Sequence, residues 1–164
     1  MPASPQELKA AIEEFIALVE DPTTLPEDRL QRLRRSLDRL ALLEHEFAYA
    51  FVDDRDYPDA PEIDHSVLRQ LVSAHFPELG YYNIPSSITN QIGTAKIDFA
   101  DAIDDIVDIT RELYEVQWRW AHTSVDDALW YFKDMYFHHW ESHLRGLQLC
   151  LQRLFAGHEE SDAV

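Results

Sequence analysis

Residues Ala128 to Leu154 read ALWYFKDMYFHHWESHLRGLQLCLQRL. The stretch holds Trp130, Trp140, His138, His139, His143 and Cys150, the one cysteine of the chain. Leu129, Phe132, Tyr136, Trp140, Leu144, Leu147, Leu151 and Leu154 recur at helical spacing. One long helix with a buried aromatic and leucine stripe accounts for that pattern, and the other helices pack around it. Only four glycines occur, and most of the eight prolines lie outside the periodic runs, which favours long helices over many short strands. The predicted fold is therefore all-α, a single-domain bundle of about four to five main helices with a long C-terminal antiparallel hairpin. The domain spans 1–157, and 158–164 form an acidic, frayed tail.

Working outward, the first helix spans Pro5 to Glu20. Ser4 caps it, Glu7 completes the capping box, and Asp21-Pro22 ends it. A second capping box, Thr24 with Glu27, opens a helix that runs to about Val52, roughly 40 Å long. Arg29, Arg32, Arg34, Arg35 and Arg39 make it the one basic surface, neutralised by Glu27, Asp28 and Asp38 or docking an anionic partner. Asp53 to Asp64 is an exposed acidic loop. Asp64 caps a short helix to Phe76 with Val67, Leu68, Leu71 and Val72 inward.

Pro77 to Lys96 has no clear period and reads as a wrap over the bundle end or, alternatively for half of it, as a short helix from Ser87 to Ile92. Tyr81, Tyr82, Ile84, Ile88 and Ile92 are its apolar anchors. The fourth helix spans Ile97 to Trp120, with an apolar face from Phe99 to Trp120. Asp101, Asp105, Asp108, Glu112 and Glu115 share another face, read as solvated or, alternatively, as a carboxylate ladder for a cation. Thr123 or Ser124 caps the last helix and Gly157 stops it.

The net charge is -17. Such a field repels nucleic acids and anionic membranes and favours a basic protein partner or cations. No apolar run approaches the roughly 18 residues of a membrane span. The N-terminus shows no signal-peptide pattern, and a lone cysteine fits a cytoplasmic setting. Arginine outnumbers lysine, which fits a bacterial source. There is no G-x-S-x-G, G-x-G-x-x-G or Walker A run, and Cys150 in a leucine-rich stripe is inert.

His139 and His143 stand four apart, so both imidazoles project from one side of the helix. Two ligands do not hold a metal. The others would come from His45 or from Asp105, Asp108 or Glu112. The candidate metal set is His139, His143, His45 and Asp108. The plainer reading is a structural polar network of Asp105, Asp108, Trp140 and His143, in which Asp108 bonds an imidazole. Three functions follow. The first is a non-enzymatic interaction or regulatory module with no cofactor. The second is a helical bundle that binds a divalent metal, a setting suited to hydrolysis. The third is an acidic mimic of nucleic acid. Oligomeric state is left open.

Asp105-Ile106-Val107-Asp108-Ile109, Ala128-Leu129-Trp130 and His139-Trp140-x-x-His143 form a further pattern. It resembles domain of unknown function 5063, a bacterial family with a D-x-x-D-I segment before a helix bearing A-L-W and H-W-G-x-H. Glu141 stands here where the family has glycine, and Thr110 where an aromatic is usual. The resemblance spans roughly Ile97 to Leu154. It implies a helical fold and no particular activity.

Overall fold

A computed structural model of the chain describes residues 3–48 and 56–161. The fold is mainly helical, with one small two-stranded sheet. Helix α1 (Pro5–Glu20) starts as its sequence predicts. The Ser4 hydroxyl accepts from the Glu7 N–H, and the Glu7 carboxylate accepts from the Ser4 N–H at 2.6 Å. Two donors that a helix start leaves open are thereby satisfied. Leu8, Ile12, Phe15 and Val19 bury its apolar face.

Helix α2 (Pro26–Glu46) departs from expectation at both ends. Its N-cap is Leu25, which makes no side-chain cap bond, while the Thr24 hydroxyl donates to Asp21 instead. The helix stops at Glu46, because Phe47 turns to an extended conformation (φ -99°, ψ 131°). The predicted continuation through Phe51 and Val52 lies outside the described residues. Its arginines do not form one basic surface. Arg29 is buried and donates to the backbone carbonyls of Pro22, Thr24 and His75. Arg39 pairs with Glu14 of α1 at 2.8 Å, and Arg34 lies over the Phe155 ring.

Helix α3 (His65–His75) is capped by Asp64, whose carboxylate accepts from the Ser66 and Val67 N–H groups. Leu68 and Val72 are buried, but Val67 is exposed. One residue of a helix turns the side chain by roughly 100°, so Val67 and Leu68 cannot both face the core squarely.

The stretch after α3 corrects the all-α expectation. Strands β1 (Tyr81–Pro85) and β2 (Ile97–Asp101) form an antiparallel pair, with Tyr81 opposite Asp101 and Pro85 opposite Ile97. No helix forms over Ser87 to Ile92, and Ile88 and Ile92 are fully exposed rather than anchors. Gly93 takes φ +81°, the left-handed region that glycine enters without steric cost. Tyr82 and Ile84 reach Gly146 while Tyr81 is exposed, the period of two that a strand produces. Helix α4 (Ala102–His122) accordingly starts five residues later than predicted. Asp101 is its cap, accepting from Ile103 N–H at 3.0 Å, and Phe99 lies on an exposed strand rather than in the core.

Helix α5 (Val125–Met135) begins at Ser124, whose hydroxyl accepts from Asp127 N–H at 3.1 Å. A π turn, Tyr136–Trp140, follows, and then helix α6 (Glu141–Ser161), which runs past Gly157. The expected single helix is thus interrupted, and its expected stop is not a stop. The buried residues Phe132, Tyr136, Trp140 and Leu144 explain the interruption. Each step of four in a 3.6-residue helix drifts by about 40°, so three steps would carry Leu144 roughly 120° off the face. The wide turn absorbs that drift and keeps all four inward. Trp140 meets Phe132 and Tyr136 edge to face, with centroids 5.3 and 4.8 Å apart.

Helix α4 packs on α5 and α6, and α1 packs on α2 and α4, so α4 lies against both layers. Lys133 of α5 ties to α2. Its Nζ donates to the Glu44 carboxylate at 2.6 Å and to the Glu44 carbonyl at 2.9 Å, and both side chains are buried. Lys133→Ala strands a buried carboxylate and should cost roughly 3–5 kcal/mol in urea denaturation. The Lys133→Met/Glu44→Leu pair should lie much closer to wild type. Equal losses in the two variants would show that the pair does not act through charge.

Candidate metal centre

Asp105, Asp108 and Glu112 descend one face of α4 at spacings of three and four, so their carboxylates line up toward the start of α6. His139 sits in the π turn and His143 in the first turn of α6. One ligand atom each from Asp108, His139 and His143 lies within 4.8 Å of the other two. His143 Nε2 is 3.6 Å from Asp108 Oδ2, and the two imidazole rings are 5.3 Å apart at 82°.

Each imidazole is turned by a different carboxylate. His139 Nδ1 is 2.7 Å from Glu112 Oε1, and His143 Nδ1 is 2.8 Å from Asp105 Oδ1. A carboxylate oxygen accepts, so each Nδ1 carries the hydrogen and donates. Nε2 of each ring is then the nitrogen left for a ligand. A third layer holds the carboxylates. The Tyr82 hydroxyl donates to Asp105 at 2.6 Å, and the Tyr131 hydroxyl donates to Glu112 at 2.7 Å. Burial, and then these bonds, push both phenols far above their ordinary pKa, so they remain donors at any working pH. Arg119 in turn lies over the Tyr131 ring at 4.3 Å and pairs with Asp127 and Glu115.

The structure brings together three of the four predicted metal residues. His45 is not among them. It is largely exposed at the end of α2, with Nδ1 3.1 Å from Glu44. Trp140 is not part of a polar network. It is fully buried among aromatic rings, and its Nε1 has no hydrogen-bond partner among the described residues. The expected bond from Asp108 to an imidazole is made instead by Asp105 and by Glu112, while Asp108 stands at 3.6 Å.

The acidic face of α4 is not solvated. Asp105 is 4 % exposed, and the Asp108 and Glu112 side chains are 14 % and 13 % exposed. That also removes the exposed phosphate-like row on which nucleic-acid mimicry would depend. Cys150 is half-buried, and burial raises its thiol pKa, in keeping with an inert side chain. Sequence reasoning missed Tyr82, Tyr131 and Gly146. The signal for Gly146 was its presence inside a helix, where glycine costs about 1 kcal/mol against alanine. A Cβ there would collide with the Tyr82 hydroxyl and lie 3.2 Å from Ile84 Cδ1.

Two outcomes follow. Gly146→Ala should displace the Tyr82 ring, cost roughly 1–3 kcal/mol and shift the Tyr82 and His143 resonances around Asp105. A neutral or stabilising effect would mean that the glycine is not there for Tyr82. Asp105, by accepting its hydrogen bond, also holds the His143 pKa above the ordinary 6.5. The stabilisation from charged His143 is full below that ordinary value and is lost as pH rises through the raised one. With chelator present, the melting-temperature gap between wild type and His143→Gln should be larger at about pH 6 than at about pH 9. A gap that does not change with pH rejects the linkage.

No family model matches the chain, and no curated protein matches it. Among solved structures, the crystal structure of protein BF1032 from Bacteroides fragilis is similar, with a TM-score of 0.73 and 15 % identity. The match covers 91 % of this chain and 90 % of that one. At that identity the likeness establishes a shared fold and nothing of activity.

Proposed function

We propose that this protein binds one divalent transition-metal ion through Asp108, His139 and His143. The observation that carries the reading is the pair of Nδ1–carboxylate bonds. Metal-ligating histidines commonly donate their second nitrogen to a carboxylate, which fixes the tautomer and strengthens the ligand. Here both histidines do so, and a third carboxylate stands beside the nitrogens that remain. Charge supports the same reading. Three carboxylates, Asp105, Asp108 and Glu112, border the two imidazoles, and Asp108 is paired with the Arg111 guanidinium at 3.6 Å.

The spacing is close to what an ion needs. Bonds of ~2.0–2.1 Å in a tetrahedral site put ligand atoms roughly 3.3–3.4 Å apart. His143 and Asp108 stand at 3.6 Å, and the other edges are at most 4.8 Å. Small side-chain rotations about the half-exposed His139 close the set. Two imidazoles and one carboxylate suit zinc, iron or manganese and leave positions open. An ion with an open position polarises a bound water or carbonyl, so hydrolysis is the chemistry this arrangement favours.

The same residues underlie the resemblance to domain of unknown function 5063, which we also propose. Asp105, Asp108, His139 and His143 are the polar members of its D-x-x-D-I and H-W-x-x-H segments. In this reading the antiparallel pairing of α4 with the C-terminal helices serves to face one segment toward the other.

Elemental analysis of untagged protein, with zinc titration calorimetry, tests the proposal. About one equivalent of metal is expected, together with a rise in melting temperature when metal is added to stripped protein. His139→Ala/His143→Ala should abolish both. Asp105→Asn and Glu112→Gln should weaken binding ~10–100-fold without abolishing it. A protein that takes up no zinc, iron or manganese, and whose melting is unmoved by them, is not a metal protein. The histidine–carboxylate pairs then serve only to join α4 to α6.

A further inference from the structure

Between α4 and the extended segment that precedes α3 lies a cavity of about 620 Å³. Pro61 and Ile63 line it from that segment, Tyr114 and Trp118 from α4, and Tyr131 from α5. Small-molecule sites are cavities of roughly 300–1,000 Å³ with apolar and aromatic walls and a few placed polar groups. The aromatic walls here are fixed by their neighbours. His122 stacks on the Trp118 indole, with centroids 4.7 Å apart at 14°, and its Nδ1 donates to the Trp118 carbonyl at 2.8 Å. One face of the indole is thereby covered, and the other is left for a ligand. Tyr131 is held by Arg119 over its ring and by its hydroxyl bond to Glu112, and the Tyr114 hydroxyl donates to Glu20 of α1. Both phenol protons are therefore committed to carboxylates.

Charge selects the class of ligand. Three carboxylates, Glu62, Glu112 and Glu115, border the cavity with one guanidinium, Arg111. Arg111 is paired with Asp108 at 3.6 Å and Glu115 with Arg119 at 2.7 Å. Glu62 is exposed and has no partner among the described residues. An anionic ligand would meet like charge at each of these carboxylates, and a cation would meet its opposite. A cation also gains from the open indole face, since tryptophan is the strongest of the aromatic rings for such contacts. A neutral apolar molecule fits the same walls but gains nothing from Glu62. The net charge of -17 raises the local concentration of cations further.

We infer that this cavity binds a small organic cation, an apolar or aromatic body that carries a protonated amine. Its ammonium is answered by the Trp118 indole and the Glu62 carboxylate, and its body lies along Tyr114 and Ile63. The inference does not rest on the metal centre, because none of Asp108, His139 and His143 borders the cavity.

Titration calorimetry of the metal-stripped full chain with naphthylmethylamine, naphthylmethanol and naphthoate is the test, since the three share one apolar body and differ in charge. The amine should bind at least ~tenfold tighter than the alcohol, and the naphthoate should not bind. Only the amine should weaken as salt is raised, because screening acts on its charge. Trp118→Ala should lower the amine affinity at least ~tenfold. Glu62→Gln should lower it several-fold and leave the alcohol unaffected. Glu62 is exposed, so circular dichroism and melting should be unchanged in that variant. No binding of the amine overturns the inference. So does an alcohol or a naphthoate that binds as tightly as the amine, or amine binding that Glu62→Gln leaves undiminished.

Discussion

Asp105 is a carboxylate almost wholly withdrawn from water inside a helical protein. Such a group costs several kcal/mol unless both oxygens are answered. Tyr82 answers one from the hairpin and His143 answers the other from α6. Three segments far apart in the chain are therefore held at one point. Gly146 is bare because the Tyr82 hydroxyl passes over it. The hairpin lies against α6 rather than elsewhere because Tyr82 must reach Asp105.

The same rule repeats along the molecule. Glu112 is answered by Tyr131 and His139, Asp127 by Arg119, and Glu44 by Lys133. Pairs of this kind set register more than they add stability, since each ion loses hydration on burial. Stability comes from the apolar face they surround. Phe132, Tyr136 and Trp140 are fully buried, and fully burying an apolar side chain of that size contributes roughly 1.5–3 kcal/mol. The π turn is where the two demands meet. It keeps the aromatic residues inward and at the same time sets His139 and His143 against the carboxylates of α4. Wide turns of this sort frequently occur at functional sites.

Acidity is thus distributed with a purpose that composition alone does not reveal. Much of the α4 charge faces inward toward imidazoles, tyrosines and arginines. The hairpin turns Tyr82 and Ile84 toward Gly146 and leaves Tyr81, Ile97 and Phe99 exposed on its other face.

The local signals were legible in the sequence where one or two turns of chain decide the outcome. The Ser4–Glu7 box, the Asp64 and Ser124 caps and the core stripes of α1, α4 and α6 all depend on neighbours in sequence. Even the π turn was written in the three successive steps of four from Phe132 to Leu144, although helical spacing alone hid it. The hairpin was missed because its period of two is brief and its outer face is apolar, so that Phe99 reads as the start of a helix. The site could be read only as a set of candidates. His139 and Glu112 are 27 positions apart, and His143 and Asp105 are 38 apart. Which carboxylate turns which imidazole, and that His45 is left outside, depends on how α4 crosses the π turn. By itself the sequence determined α1 with its Ser4–Glu7 box, the Asp64 and Ser124 caps and the residue types that could hold an ion. Tertiary packing alone decided that Asp105 and Glu112 turn the histidines while Asp108 stands beside His143, because partners so distant in the chain share no local conformational preference and meet only when the buried faces do.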